Sequence, residues 1–217
     1  MSDSTVAVLA EQFDDAEQQH ETASLGMWVF LATEVMFFGG LFTGYTIFRT
    51  LYLPGFVAGS HHLNVTIGAI NTAILICSSL TMALGVHAAQ LGKRKPLMAY
   101  LVSTMVLGIA FILIKILLEW RHDYYEHLAP GINFAYFGPH AKHVELFFFF
   151  YFVMTGVHAL HMIVGVGILT VLLIMAWRGK FSSGYYNPVE MTGLYWHFVD
   201  IIWIFLFPLL YLVGGRY

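Results

Sequence analysis

ELFFFFYFVMTGVHALHMIVGVGILTVLLIMAW, residues 145–177, runs for 33 positions with one carboxylate at its start and no Lys or Arg. As an α-helix at 1.5 Å per residue it extends for about 50 Å, whereas about 20 apolar residues suffice to cross a bilayer. A soluble domain has no use for such a segment, so the chain is read as a membrane protein whose longest helix tilts or projects beyond the hydrocarbon. Hydrophobic residues make up 59% of the 217-residue sequence and charged residues only 11%, against about 25% charged in an average soluble domain.

Four further apolar stretches accompany this one, near 25–48, 65–90, 97–119 and 191–213. Pro54-Gly55, Gly59-Ser60, Lys93-Arg94-Lys95-Pro96, Pro130-Gly131 and Asn187-Pro188 punctuate them as helix stops and restarts. Hydrocarbon cannot hydrogen-bond a free backbone, and the period-2 alternation of a membrane barrel is absent, so each stretch is expected to be a helix. The predicted fold is all-α: a polytopic bundle of five transmembrane helices over residues 25–217, preceded by an acidic tail over 1–24. Asp3, Glu11, Asp14, Asp15, Glu17 and Glu21 fall in that tail without a Lys or Arg, the reverse of a cleaved targeting segment.

Lys93, Arg94, Lys95, Arg178 and Lys180 fall on the side of the N-terminus, and Arg49, Arg121, Lys142 and Arg216 on the other. Three of the first group share the shortest loop, where the positive-inside bias acts most strongly, which places the N-terminus inside and the C-terminus outside. A net charge of −3 with no basic arm excludes nucleic acid as a partner. A single cysteine, Cys77, excludes an internal disulfide or a cysteine-built metal site. Gly40 and Gly44, with Ala69 and Ala73, offer small faces for helix packing.

Ionisable groups inside a span cost on the order of 3 kcal/mol each by insertion scales, so each calls for a partner or a wet cavity. Glu34 is about 14 Å along the first span. Lys115 and Glu119, four apart, suit an internal ion pair, with snorkelling toward the membrane surface preferred to a transport role. His158 and His161 are spaced to point the same way, and His197 and Asp200 to share a face on which the carboxylate orients the imidazole. One Glu-x-x-His pair, Glu119 and His122, falls short of a di-iron bundle, which needs two such motifs and two more glutamates. No phosphate loop or nucleophile motif appears. The residues by themselves reach a proton-handling or accessory membrane subunit, with an autonomous histidine-ligated metal or haem enzyme as an alternative of another class.

The stretches GMWVFLATEVMFFGGLFTGY (26–45), NTAILICSS (71–79), LLEWRHDYYEH (117–127), FFFYFVMTGVHALHMIVGVG (148–167) and GLYWHFVDIIWIFLFPLLYL (193–212) resemble, in order and spacing, subunit III of the haem-copper oxidases. The resemblance implies a subunit with no catalytic residue, metal or cofactor of its own. Haems and copper would lie in partner subunits, and structural phospholipids on the chain itself. It implies direct contact with the catalytic subunit I, with subunit II, a small subunit IV and a respiratory supercomplex as further candidates. Glu34 matches the family's buried glutamate, and Glu34, His158, His161, His197 and Asp200 become the candidate proton- or lipid-associated groups. Many members of that family have seven helices, and this chain starts where their third would begin, so lipid sites needing both halves are in doubt. The smaller helix count suits a bacterial inner membrane and either cytochrome c or quinol as electron donor. The accessory subunit of a nitric oxide reductase shares the pattern and stands as the nearest alternative. Lys115 and the loop histidines His122, His127, His140 and His143 have no role in this comparison.

Overall fold

A computed structural model of the chain describes residues 15–131 and 133–212. Asp3, Glu11 and Asp14 of the acidic tail, Val213 at the end of the fifth span and Arg216 of the charge count lie outside the described residues.

Every regular element among the described residues is helical. Asp15 opens α1 (Ala16–Leu51) by accepting the Gln18 amide at 2.7 Å, which satisfies one of the free donors of a helix start. The helix thus begins nine residues earlier than its apolar run, because the cap and the acidic first turn suit a helix N-terminus. α2 (Leu53–Ser60) is a short helix in a segment expected to be loop. Pro54 is tolerated in the first turn, where no backbone donor is needed, and Gly55 and Gly59 let the backbone press onto His143 and Phe147.

Asn64 caps α3 (Val65–Gln90), accepting from Thr66 and Ile67. The helix ends on Gly92 at φ 65°, with the Lys93 amide donating to Ala88 O and that of Gly92 to Ala89 O, the double bond of a glycine-terminated helix. α4 (Arg94–Ile114) runs through a wider π-helical turn (Lys115–Trp120) into α5 (Arg121–Tyr125). α6 (Ala141–Trp177) stops at Gly179 in the same manner as α3. Arg94 adds its guanidinium to that end, donating Nε to Ala176 O at 2.9 Å and a terminal nitrogen to Trp177 O. α7 (Asn187–Phe207) ends in a second π-helical turn, Pro208–Leu212.

Five of these stretches are long and apolar enough to cross a membrane: Glu17–Leu51, Val65–Gln90, Arg94–Tyr125, Ala141–Trp177 and Asn187–Leu212. α7 is the most enclosed and α1 the least. α3, α6 and α1 all pack on α7, and α4 lies between α3 and α6. Hydrogen bonds fasten the centre to its neighbours: Trp196 Nε1 to Ser78 Oγ at 3.1 Å, Trp203 Nε1 to Thr72 Oγ1 at 3.0 Å and the Tyr45 hydroxyl to Leu209 O at 2.9 Å. The small faces that matter are not the expected ones. Among the described residues, a methyl group on Gly40 would meet nothing within 4 Å and one on Gly44 only Phe150 at ordinary contact, while Gly108 and Gly165 close on the Trp196 ring from α4 and α6.

Candidate functional site

Polar side chains within the spans collect at three places. The first lies between α1, α6 and α7. Glu34 Oε2 is 3.1 Å from His161 Nε2, with the two side chains 20% and 17% exposed. His161 Nδ1 is 2.8 Å from Val157 O. A carbonyl only accepts, so Nδ1 carries a hydrogen and donates it. The Nε2 contact then holds one proton, either on a neutral Glu34 that donates to the ring or on an imidazolium facing the carboxylate. Tyr195 fixes the backbone here by donating to His161 O at 2.9 Å. Around the pair is an apolar groove of about 510 Å³, lined by Met27, Phe30, Leu160, Val164 and Tyr195 among others.

The second is built on the π-helical turn after α4. Lys115, 1% exposed, and Glu119, 5% exposed, form an ion pair inside the bundle. Lys115 therefore does not snorkel. Its Nζ donates to the Tyr211 hydroxyl at 2.6 Å and the Tyr151 hydroxyl at 3.0 Å and to Glu119 Oε2, and Tyr211 itself donates to that oxygen at 2.6 Å. The ammonium also lies 4.5 Å from the Tyr151 ring centre and 5.2 Å from that of Trp203, near enough for cation–π attraction. Asp123, 3% exposed, completes the cluster. Beyond it a cavity of about 480 Å³ reaches the α2–α3 turn, with His61, His62 and His122 in its wall. Asp123, Tyr151 and Tyr211 are absent from the sequence expectations. A tyrosine in an apolar span reads as core, and only the fold aims three helices' polar tips at one ammonium.

The third lies between α3 and α7. His197 and Asp200 share a helix face, yet they make no hydrogen bond to each other. His197 Nδ1 pairs with Ser79 Oγ at 2.7 Å, because the α3 hydroxyl is presented to the ring where an i,i+3 neighbour is not. Neither Asp200 oxygen has a hydrogen-bond partner among the described residues, and the side chain is 3% exposed. His158 and His161 also part company: His158 faces inward, enclosed by the rings of Phe111 and Trp203 at 5.5 and 5.1 Å, with neither nitrogen bonded.

His140 and His143, expected in a loop, cap and open α6 instead: they stack at 5.9 Å, and His143 lies 4.2 Å from the ring of Tyr52 at the start of α2. Among the described residues, no three His, Cys, Asp or Glu side chains are gathered as metal ligands. The site is thus a set of internal groups: one proton shared between a carboxyl and an imidazole beside an apolar groove, one ammonium held by a carboxylate and two phenols, and, at Asp200, a carboxyl with both oxygens unbonded among the described residues.

The sequence matches the model of the family described as cytochrome c oxidase subunit III over residues 12–215. It is 32% identical to cytochrome c oxidase subunit 3 of Corynebacterium diphtheriae, with 88% of this chain and 87% of that one aligned. The corresponding protein of Thermostichus vulcanus is 31% identical, with 92% of each chain aligned. Quinol oxidase subunit 3 of Bacillus subtilis is 29% identical over 91% of this chain and 92% of its own.

Proposed function

The chain belongs to the cytochrome c oxidase subunit III family, and on that premise we propose that it is a non-redox accessory subunit of a proton-pumping terminal oxidase. It is a subunit of a haem-copper oxidase complex, partnered with the catalytic subunits of that complex. Haems and copper sit in those partners, and this chain sustains proton uptake, oxygen or lipid access and the working lifetime of subunit I. The relatives include a cytochrome c oxidase and a quinol oxidase, so the reading is made for the oxidase and not for either donor.

One observation carries the accessory role. Glu34 and His161 hold a single proton between α1, α6 and α7 at the edge of an apolar groove. A proton shared between two bases in low dielectric exchanges at small cost when a neighbour offers a path. An apolar groove beside it suits acyl chains or dissolved oxygen. The Lys and Arg distribution supports an N-terminus inside and a C-terminus outside, in a bacterial cytoplasmic membrane.

The test is to purify the oxidase with and without this chain. The reading expects haem and copper to remain with the catalytic subunits and oxygen reduction to begin at the usual rate. It then expects faster loss of activity over successive turnovers and slower proton uptake in the depleted enzyme. Equal uptake rates and equal lifetimes would remove the accessory role. A haem that copurifies in equal proportion with the isolated chain would remove the non-redox one.

A further inference from the structure

Asp200 is a carboxyl with neither oxygen hydrogen-bonded among the described residues. It stands thirteen residues into the span Asn187–Leu212, about 20 Å along the helix and so near the middle of the membrane. Both oxygens are buried and unpaired. The hydroxyl beside it, Ser79 Oγ, lies 2.7 Å from His197 Nδ1 and has one hydrogen, so even turned toward Asp200 it can serve at most one of the two carboxyl oxygens. His197 Nε2 has no protein partner among the described residues either.

These groups line a groove of about 350 Å³ between α3 and α7. Ile76 and Leu80 on one edge and Ile201 and Ile204 on the other are 55%, 61%, 50% and 46% exposed, so the groove opens on the outside of the bundle. Acyl chains would match its edges and leave its floor unmet, because hydrocarbon offers no hydrogen-bond donor. A carboxyl at that depth calls for a donor within reach. An apolar rim around a polar floor is the pattern of a packed helix with one polar side chain at its centre.

We propose that the α3–α7 groove is the seat of a transmembrane helix of the catalytic subunit, which inserts a hydrogen-bond-donating side chain against Asp200. The proposal rests on the accessory-subunit reading. A second copy of this chain is a poorer occupant, since a two-fold contact would bring Asp200 against Asp200, two acceptors with no donor unless at least one were protonated.

The experiment places a photo-crosslinking residue at Ile76 or Ile201, on the groove, and at Val106, on the exposed face of α4, in the whole oxidase. Illumination in native membranes is followed by mass spectrometry of the joined peptides. The groove positions are expected to join to a transmembrane segment of the catalytic subunit, and Val106 to lipid only. Joining from Val106 but not from Ile76 or Ile201 would overturn the placement and leave the accessory reading intact. Joining of two copies of this chain through the groove would overturn the placement in favour of a homodimer. No joining from any position, with the chain absent from the purified oxidase, would overturn both.

A second measurement examines the carboxyl itself. In Asp200→Leu the ratio of this chain to the catalytic subunit after detergent washing is expected to fall threefold or more, on the order expected for one hydrogen bond between membrane helices. Asp200→Asn, which still accepts through its carbonyl oxygen, is expected to retain more of the chain. Full retention of the leucine variant would remove Asp200 as the anchor.

Discussion

Glu34 Oε2 and His161 Nε2 meet at 3.1 Å across 127 residues of sequence, and the other ring nitrogen is occupied by Val157 O. Glu34→Gln keeps a donor for Nε2, since an amide NH₂ can take the place of a carboxylic OH, but it cannot pass a proton. The substitution should leave the chain assembled, with stability within about 1 kcal/mol of the wild type. Proton uptake followed with a pH dye during single turnovers, or the number of turnovers before inactivation, should drop. Unchanged uptake and lifetime would make the pair a structural tie between α1 and α6.

Lys115 is a different case, because its charge is wholly enclosed and its partners are three acceptors from two other helices and its own. Removing one member strands the rest: Glu119→Gln leaves a buried ammonium without its carboxylate, a loss of about 3–5 kcal/mol for ion pairs of this kind. A chain carrying it should be missing from the membrane or melt far earlier in detergent. The double variant Lys115→Met with Glu119→Leu should recover much of that loss, since neither charge is then buried. A double variant no better than Glu119→Gln would show that the phenols of Tyr151 and Tyr211 need the charges, and that the cluster is more than a pair.

How far this was legible depends on what each feature is made of. Val65–Gln90 coincides with its apolar run because local chemistry marks both ends, Asn64 as cap and Gly92 as a left-handed stop. Family motifs are strings of residues too, which is why the resemblance was open to reading. The pairings were less so. His197 and Asp200 were matched by helical spacing, but Ser79, 118 residues away, takes the imidazole. Position late in an apolar run suggests a place near the surface for Lys115 and Glu119. The π-helical turn and two tyrosines from other helices enclose them instead, and neither leaves a periodic trace. Pro54 and the glycines beside it read as loop, although the same residues form a helix when α6 supplies a surface to pack on.

Trp196 supplies a test of the packing itself. The ring is fully buried between α4 and α6, and a methyl group on Gly108 would stand 2.7 Å from its Cη2, one on Gly165 2.9 Å from its Cζ3. No rotation relieves both, because Nε1 is tied to Ser78. Gly108→Ala should therefore cost about 1–3 kcal/mol, the range for overpacked cores, read as a lower melting temperature of the chain within the oxidase. Gly40→Ala, where nothing lies within 4 Å, is the control and should be near neutral. Equal effects of the two would mean that α4 and α6 move apart freely around the tryptophan.

His62, in the turn between α2 and α3, lies outside the spans and gives the bundle a pH dependence of known sign. Its ring meets the Tyr136 ring edge-on at 5.7 Å and lies 6.4 Å from Phe148. Partial enclosure by these rings, on a side chain still open to solvent, holds its pKa below the ordinary histidine value of 6.5, with Glu126 opposing the effect and His61 adding to it. The folded chain thus binds this proton less readily than the unfolded one, so the stability is fully present above pH 6.5 and declines as pH falls below it. Other histidines add their own slopes, and the informative quantity is the difference between variants. His62→Gln should reduce the drop in melting temperature between pH 7.5 and 5.5. Glu126→Gln, by taking away the one charge that favours the imidazolium, should enlarge it. Identical pH profiles for the two variants and the wild type would mean that the ring keeps its ordinary proton affinity and that Tyr136 and Phe148 do not shield it.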